Sequence, residues 1–278
     1  AIPAAILLLV ITTIVRFPSL FVGFYNPDET YYATIGQRLL EGGILYSTIV
    51  DHKPPLVYYL YSLFVMVGGQ NAIIVAHFAM IVFISSTAVT IATIVRNLGK
   101  NAKVALLAAV LYAVGSALGK PNDVAAANSE LMFNLPIALG ILFAIKSLNA
   151  EDKRKYFYVC ISGLAAAIAA LIKQQTAVVP VMTLVYFLLA YQKRTANITS
   201  IFLYLTSLSL PILALGVLCF KSGRLHDAWY WTVAVNSLYV QGHEQGFQMF
   251  IRGVKQTMYM LFLEESAMWM PVICSLAL

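Results

Sequence analysis

Three short charged stretches stand out in this chain of 278 residues, because most of the rest is apolar. They are Asp28-Glu29, Asp51-His52-Lys53-Pro54-Pro55 and Asn128-Ser129-Glu130. A positioned carboxylate can take a proton from a hydroxyl group, and an ammonium group can stabilise a negatively charged phosphate. The three stretches together supply both kinds of group.

The first two stretches also have structural interpretations. Asp28 follows the turn signal Asn26-Pro27 and begins a predicted helix, so its carboxylate either caps the helix N-terminus or acts as a base. The prolines make the turn after Asp51 rigid, which suits a phosphate at Lys53 or a metal ion at Asp51 and His52. A surface loop anchored by Lys53 would have the same sequence features.

Two more charged residues lie at the ends of apolar runs. Glu130 opens an apolar segment, where an ionisable group is costly unless it has a partner or a task. Lys173 either binds a phosphate at the membrane boundary or simply extends from the end of a span to the headgroup level. The spacing alone leaves both alternatives open.

The composition predicts an integral membrane protein. Apolar residues make up 60% of the chain and charged residues 11%, and the mean hydropathy is +0.81, whereas soluble domains carry about 25% charged residues. Several apolar runs approach the roughly 20 residues that cross a bilayer as a helix, and none alternates with period 2. We therefore expect an all-α polytopic fold with spans at 2–22, 72–95, 103–119, 131–148, 156–172, 175–191 and 197–220.

The chain begins in an apolar run and ends in another that starts at residue 267. We therefore expect residues 1–278 to be one transmembrane catalytic module from a longer protein, shortened at its C-terminus. A loop over 23–71 interrupts the spans. In it, 28–41 reads as an amphipathic interfacial helix ended by Gly42-Gly43, and 55–67 as a short tyrosine-rich interfacial or re-entrant helix ended by Gly68-Gly69.

The charges divide between the two predicted faces. Nine of the 18 Lys and Arg residues fall in three short connections on one side: Arg96, Lys100, Lys103, Lys146, Lys153, Arg154, Lys155, Lys193 and Arg194. By the positive-inside rule this side is cytoplasmic, in the plasma membrane. The three charged stretches then lie on the extracytoplasmic side.

The motifs, taken in order, resemble the GT-C class of polyprenyl-phosphate-sugar-dependent glycosyltransferases. The most similar families are the dolichyl-phosphate-mannose protein mannosyltransferases and the bacterial lipid A aminoarabinose transferases. The residues that carry the resemblance are Asp28-Glu29, Tyr32, Leu39-Leu40-Glu41-Gly42, Tyr46, His52-Lys53-Pro54-Pro55 and Asn128-Ser129-Glu130.

The resemblance implies a GT-C-type helix bundle and inverting transfer of a sugar to an acceptor hydroxyl at the extracytoplasmic face. It assigns catalysis to Asp28, as the base, and to Glu130. It implies that Glu29, Tyr32 and Lys53 bind substrate, with Lys53 at the lipid phosphate.

Two further residues are assigned less directly. Lys173 joins the substrate-binding group because the predicted topology places its ammonium at the headgroup level. In the family the residue before Lys-Pro-Pro is often acidic and linked to a metal site, and here it is His52. No cofactor follows with certainty from this departure, and a divalent metal ion at His52 and Asp51 is left open.

The expected partners are a polyprenyl-phosphate-linked sugar, a lipid, glycan or protein acceptor, and membrane lipids, with no nucleic acid. The chain contains no GxGxxG or P-loop motif and has no room for βαβ units, which argues against a nucleotide-sugar donor. The rival hypothesis is a transporter or a lipid-sugar flippase without transferase activity. Transporters place ionisable groups near the membrane centre, whereas this chain collects them at one face.

Overall fold

The computed structural model describes residues 2–237 and residue 255. All regular secondary structure in this part is helical, which confirms the predicted all-α class. In chain order the helices are α1 (Ile2–Arg16), α2 (Pro27–Leu40), α3 (Leu56–Gly68), α4 (Ala72–Asn97), α5 (Ala102–Gly115), α6 (Pro121–Val124), α7 (Ser129–Leu148), α8 (Asp152–Ile172), α9 (Val178–Gln192), α10 (Ile198–Lys221) and α11 (Leu225–Trp229). The apolar run from residue 267 lies outside the described residues.

Six helical stretches in the described part are long and apolar enough to cross a membrane. They are Ile2–Phe21, Leu56–Asn97, Ser129–Leu148, Lys153–Ile172, Gln174–Gln192 and Ile198–Lys221. These stretches confirm an integral membrane protein with several spans.

The predicted span 103–119 is shorter in the structure. Helix α5 ends at Gly115, so its length of about 21 Å falls short of the roughly 30 Å of a bilayer core. Gly119 has a φ of 145°, and Lys120 precedes a proline, which disfavours helical backbone at that residue. Residues 116–120 therefore form turns and irregular backbone after the helix.

The bundle contains both antiparallel pairs, such as α7 with α8, and parallel pairs, such as α4 with α7. Helix α7 packs between α4 and α8, α8 packs on α10, and α1 and α5 pack on α4. At Gly163 the backbones of α8 and α10 are so close that an added Cβ would lie 2.6 Å from the carbonyl oxygen of Tyr204. Small residues of this kind allow close helix contacts in membranes, where burial of apolar surface drives association weakly.

Helices α2 and α3 form a pair at one end of the bundle. Tyr32 and Ile35 on α2 are buried against Tyr58 and Tyr61 on α3, while the opposite face of α2 is exposed, as its amphipathic pattern predicts. Helix α3 continues into α4 through the single turn Gly69–Asn71. The change of direction falls at Gly69, whose φ of 53° is in the region that favours glycine.

The two ends of the bundle differ in charge. The nine basic residues of the three short connections lie in the last turns of α4 and α7, directly after α4 and α9, or at the start of α5 and α8. We call this the basic end. The three charged stretches lie at the opposite end, which we call the site end.

Candidate active site

Asp28 is the second residue of α2 and is about half exposed, with 48% of its side chain accessible. The helix cap is Asn26, whose side chain accepts a hydrogen bond from the Asp28 amide at 2.9 Å. The Asp28 carboxylate therefore does not serve as the helix cap. Its Oδ2 atom accepts hydrogen bonds from the Tyr32 hydroxyl at 2.9 Å and from Lys53 Nζ at 3.2 Å.

Lys53 comes from the rigid turn that precedes α3. Its side chain is 12% exposed, and its Nζ atom lies 4.7 Å from the centre of the Tyr32 ring as well as beside Asp28. The Tyr46 hydroxyl donates to the Lys53 carbonyl at 2.9 Å and holds the turn in place. A nearly buried ammonium thus meets a half-exposed carboxylate and an aromatic face.

Glu130 and Lys173 form a second acid–lysine pair. Glu130 begins α7, Lys173 ends α8, and Lys173 Nζ donates to Glu130 Oε1. The Ser129 hydroxyl donates to the other carboxylate oxygen of Glu130 at 3.1 Å. Lys173 therefore has a partner at the site end and does more than extend toward solvent.

The Tyr32 hydroxyl is a buried donor to the Asp28 carboxylate. Burial raises its pKa most, and the nearby charges of Asp28, Glu130 and Asp51 raise it further. Tyr32 therefore stays protonated and donates to Asp28. Tyr32 thus contacts both members of the first acid–lysine pair, Asp28 through its hydroxyl and Lys53 through its ring.

The turn with Lys53 is also tied to distant parts of the chain. The His52 carbonyl accepts hydrogen bonds from Asn236 Nδ2 at 2.8 Å and from Gln174 Nε2 at 3.5 Å. Gln174 follows Lys173 directly, so this contact joins the two acid–lysine pairs.

Asp51 and His52 do not fit a metal centre as they stand. The Asp51 carboxylate accepts hydrogen bonds from the Tyr58 hydroxyl and from the amide and Nδ1 of His52. Burial raises the pKa of Asp51, but these hydrogen bonds outweigh burial and hold it below its usual range. Within the described residues no third His, Cys, Asp or Glu side chain joins them. No chemical step is assigned to a metal here.

Glu29 has a different environment from its neighbour Asp28. It is completely buried. Its Oε1 accepts from the Ala127 amide at 2.7 Å and lies 2.6 Å from His77 Nε2, while its Oε2 accepts from the Tyr25 amide at 2.6 Å. Burial raises the pKa of Glu29, but these hydrogen bonds bring it below its usual value. In this conformation no carboxylate oxygen of Glu29 reaches the site surface.

Sequence reasoning missed the buried Arg16, whose guanidinium donates to the carbonyls of Val124 and Ala125. The pairing of His77 with Glu29 was not predicted either. Arg16 and His77 are both ionisable groups in apolar runs. Burial of such a group is costly without a partner, and this cost was the sequence signal that could have pointed to them.

The fold and site define an integral membrane protein with a charged site at one end of its helical bundle. A family model, dolichyl-phosphate-mannose-protein mannosyltransferase, matches residues 52–220, more than half of the chain. The chain belongs to this family and is a membrane glycosyltransferase of the GT-C type. The family implies a polyprenyl-phosphate-linked sugar as donor. No curated protein matches the chain.

The matched region contains Lys53, Glu130 and Lys173. It begins at His52, so it includes neither Asp28 nor the rest of α2. The roles of the α2 residues therefore rest on their geometry and on the motif resemblance.

Proposed function

We propose that this protein transfers a sugar from a polyprenyl-phosphate donor to an acceptor hydroxyl, with inversion, at the extracytoplasmic membrane boundary. The carrying observation is the half-exposed Asp28 carboxylate beside the ammonium group of Lys53. A base and a cation next to each other are what displacement of a lipid phosphate by a hydroxyl requires.

Asp28 is the general base of the proposed reaction. Both of its hydrogen bonds fall on Oδ2, which leaves Oδ1, as far as residues 2–237 are concerned, for the acceptor hydroxyl. The proton moves to the carboxylate as the acceptor oxygen attacks the anomeric carbon. The bond from that carbon to the phosphate oxygen breaks, and attack opposite to it inverts the configuration.

Lys53 binds the donor phosphate in this proposal. The donor carries a phosphodiester with one negative charge, and the departing polyprenyl phosphate gains a second. An ammonium group stabilises that added charge most when it is held in a nearly buried position. Glu130 and Lys173, joined to the Lys53 turn through Gln174, form the second half of the site, where Glu130 orients the acceptor.

Turnover of a defined donor tests the proposal. The purified protein is incubated with a polyprenyl-phosphate sugar, with and without an acceptor extract, and release of polyprenyl phosphate is measured. Acceptor-dependent release supports the enzyme. Movement of the intact donor across a vesicle membrane without release would instead indicate a transporter or a flippase.

Lipids that copurify with the protein identify the donor. Mass spectrometry of the extracted lipids is expected to detect a polyprenyl phosphate bearing one sugar, and its mass names that sugar. A preparation that retains only bulk phospholipids while it turns over a nucleotide sugar would contradict the proposed donor class.

A further inference from the structure

A buried polar cluster lies beneath the two acids of the site. It consists of Arg16 on α1, Glu29 on α2 and His77 on α4, which are 2%, 0% and 0% exposed. Buried charges in a membrane protein are costly and need partners. The hydrogen-bond partners of these three residues show which segments of the chain the cluster fixes.

Arg16 and Glu29 of this cluster bind residues 124–127, and Tyr61 on α3 adds a third contact. Arg16 donates to the Val124 carbonyl at 2.6 Å and to the Ala125 carbonyl at 2.7 Å. The Ala127 amide donates to Glu29 at 2.7 Å, and the Ala127 carbonyl accepts from the Tyr61 hydroxyl on α3 at 2.8 Å. This short segment leads directly to Ser129 and Glu130.

Glu29 also fixes the start of α2. Its Oε2 accepts from the amides of Tyr25 and Asn26 at 2.6 and 3.2 Å. One carboxylate therefore binds the backbone next to Asp28 through one oxygen and the backbone leading to Glu130 through the other.

His77 locks this carboxylate in place. Its Nδ1 lies 2.6 Å from the Ser19 carbonyl and its Nε2 lies 2.6 Å from Glu29 Oε1. A carbonyl only accepts, so Nδ1 carries a proton, and Nε2 shares another with Glu29. The ring thus ties α4 to the end of α1 and to α2 at the same time.

We infer that Glu29 and His77 are positioning residues, which hold residues 124–127 against α2 so that Asp28 and Glu130 address the same substrate. This inference rests on the proposed function. It replaces a substrate-binding role for Glu29, since each oxygen of its carboxylate already serves the backbone. Both carboxylate oxygens of Glu29 and both ring nitrogens of His77 have partners, and a buried polar network bonded in this way favours one arrangement of the loops more than it adds stability.

Glu29→Gln removes the hydrogen bonds to one of the two carboxylate oxygens, because the NH2 group of Gln is a donor where Glu29 has an acceptor oxygen. We expect kcat to fall on the order of 10–100-fold, as small misplacements of reacting groups do, with donor affinity near wild type. Glu41→Gln, at the exposed end of α2 where Glu41 contacts Gln37, is the matched control and should turn over normally.

A reversible disulfide between the start of α2 and the segment before residues 124–127 distinguishes a positioning role of Glu29 from direct contact of Glu29 with substrate. Asn26 Nδ2 donates to the Asn122 carbonyl at 3.2 Å, so the two segments are in contact at this point, and a cysteine pair at positions 26 and 122 is introduced to link them. In the Glu29→Gln background we expect oxidation of this pair to recover most of the lost kcat and reduction to lose it again. Substitution of Asn26 removes the helix cap in both states, so their comparison isolates the link.

Two results would overturn the inference. One is a fall in donor affinity that accounts for the lost rate, and the other is a disulfide that forms fully without recovering kcat. If the Glu29→Gln protein does not fold, the His77→Gln variant is used in its place, because that variant keeps Glu29 and the backbone amides that donate to Glu29. His77 is wholly buried and cannot touch substrate, so its effect on kcat must pass through the loops.

Disulfide yield also tests the inference without turnover. At limiting oxidant, the 26–122 pair should form more slowly in the Glu29→Gln background than in the parent, because the segments separate more often. Equal rates would contradict positioning, whereas absence of turnover in the wild-type protein would count against the proposed function alone.

Discussion

Asp28 and Glu29 are adjacent acids with opposite environments. Successive residues on a helix point about 100° apart, so Asp28 faces the site while Glu29 faces the bundle. Asp28 is bound through side chains that a substrate can displace, Tyr32 and Lys53. Glu29 is bound largely through backbone amides, which are fixed. The two carboxylates can therefore serve different purposes at one sequence location.

Lys53 should determine donor affinity. Lys53→Ala is expected to raise the donor Kd on the order of 10–100-fold, which corresponds to the loss of one charged hydrogen bond. Lys53→Arg should recover part of the affinity, because it keeps the charge but changes the geometry. Lys100→Ala at the basic end is the control. Equal donor Kd values in all four proteins, measured by lipid-binding titration, would show that Lys53 only anchors its turn.

Asp51 should stabilise the turn in a pH-dependent way. Its folded-state pKa lies below the ordinary value of 3.8, so its contribution is complete above that pH and is lost as the pH falls through the folded pKa. Asp51→Asn should cost about 1–3 kcal/mol at neutral pH. Thermal unfolding in detergent measures the difference. A gap that widens between pH 7 and pH 3 would contradict this assignment.

At this scale the sequence identified the charged residues but not their individual environments. The acids and Lys53 were found because charge is rare and costly in an apolar chain. The cap at Asn26 and the burial of Glu29 were not found, since they depend on which way α2 is turned when it packs on α3. The partners of Arg16 and His77 are distant in sequence, so local pattern could not supply them.

Helix α2 carries Asp28, and its position depends on a close contact with α3. A Cβ added at Gly36 would lie 2.8 Å from the Ser62 amide nitrogen and the Tyr61 carbonyl carbon. Backbone atoms of α3 cannot move aside as the end of a side chain can. Gly36 therefore sets the distance between the helix that carries Asp28 and the helix that follows Lys53.

Gly36→Ala should destabilise the protein although alanine favours helices. The clash is expected to cost about 1–3 kcal/mol net and to lower turnover by moving Asp28 away from Lys53. Gly216→Ala in α10 is the matched control, because nothing lies within 4 Å of its added Cβ. The control should be neutral or stabilising by up to about 1 kcal/mol. Similar unfolding temperatures and rates in both variants would contradict the role of Gly36.

The long apolar helices were largely predictable because each has an apolar run of suitable length with a boundary signal. The predicted spans 72–95 and 197–220 correspond closely to α4 and α10. The predicted span 103–119 was too long, because the sequence stays apolar past Gly115 whereas the helix ends at that residue. Apolar content determines what enters the membrane, and turn residues determine where a helix ends.

The molecule as a whole separates its charges, and this separation predicts its orientation. Cysteine at Ser47, exposed at the site end, should react in intact cells with a membrane-impermeant maleimide. Cysteine at Lys153, exposed at the basic end, should react only after permeabilisation. Short basic connections stay in the cytoplasm. Labelling of position 153 in intact cells would reverse the orientation and place Asp28 inside.

The central claim is that sugar transfer takes place at the site end with Asp28 as base, and Asp28→Asn tests it most directly. The substitution preserves size, and the helix keeps its cap because Asn26 provides it. The rate of acceptor-dependent polyprenyl phosphate release should fall on the order of 10²–10⁴-fold, while donor affinity and unfolding temperature stay near wild type. An Asp28→Asn protein that transfers sugar at the wild-type rate would contradict the account.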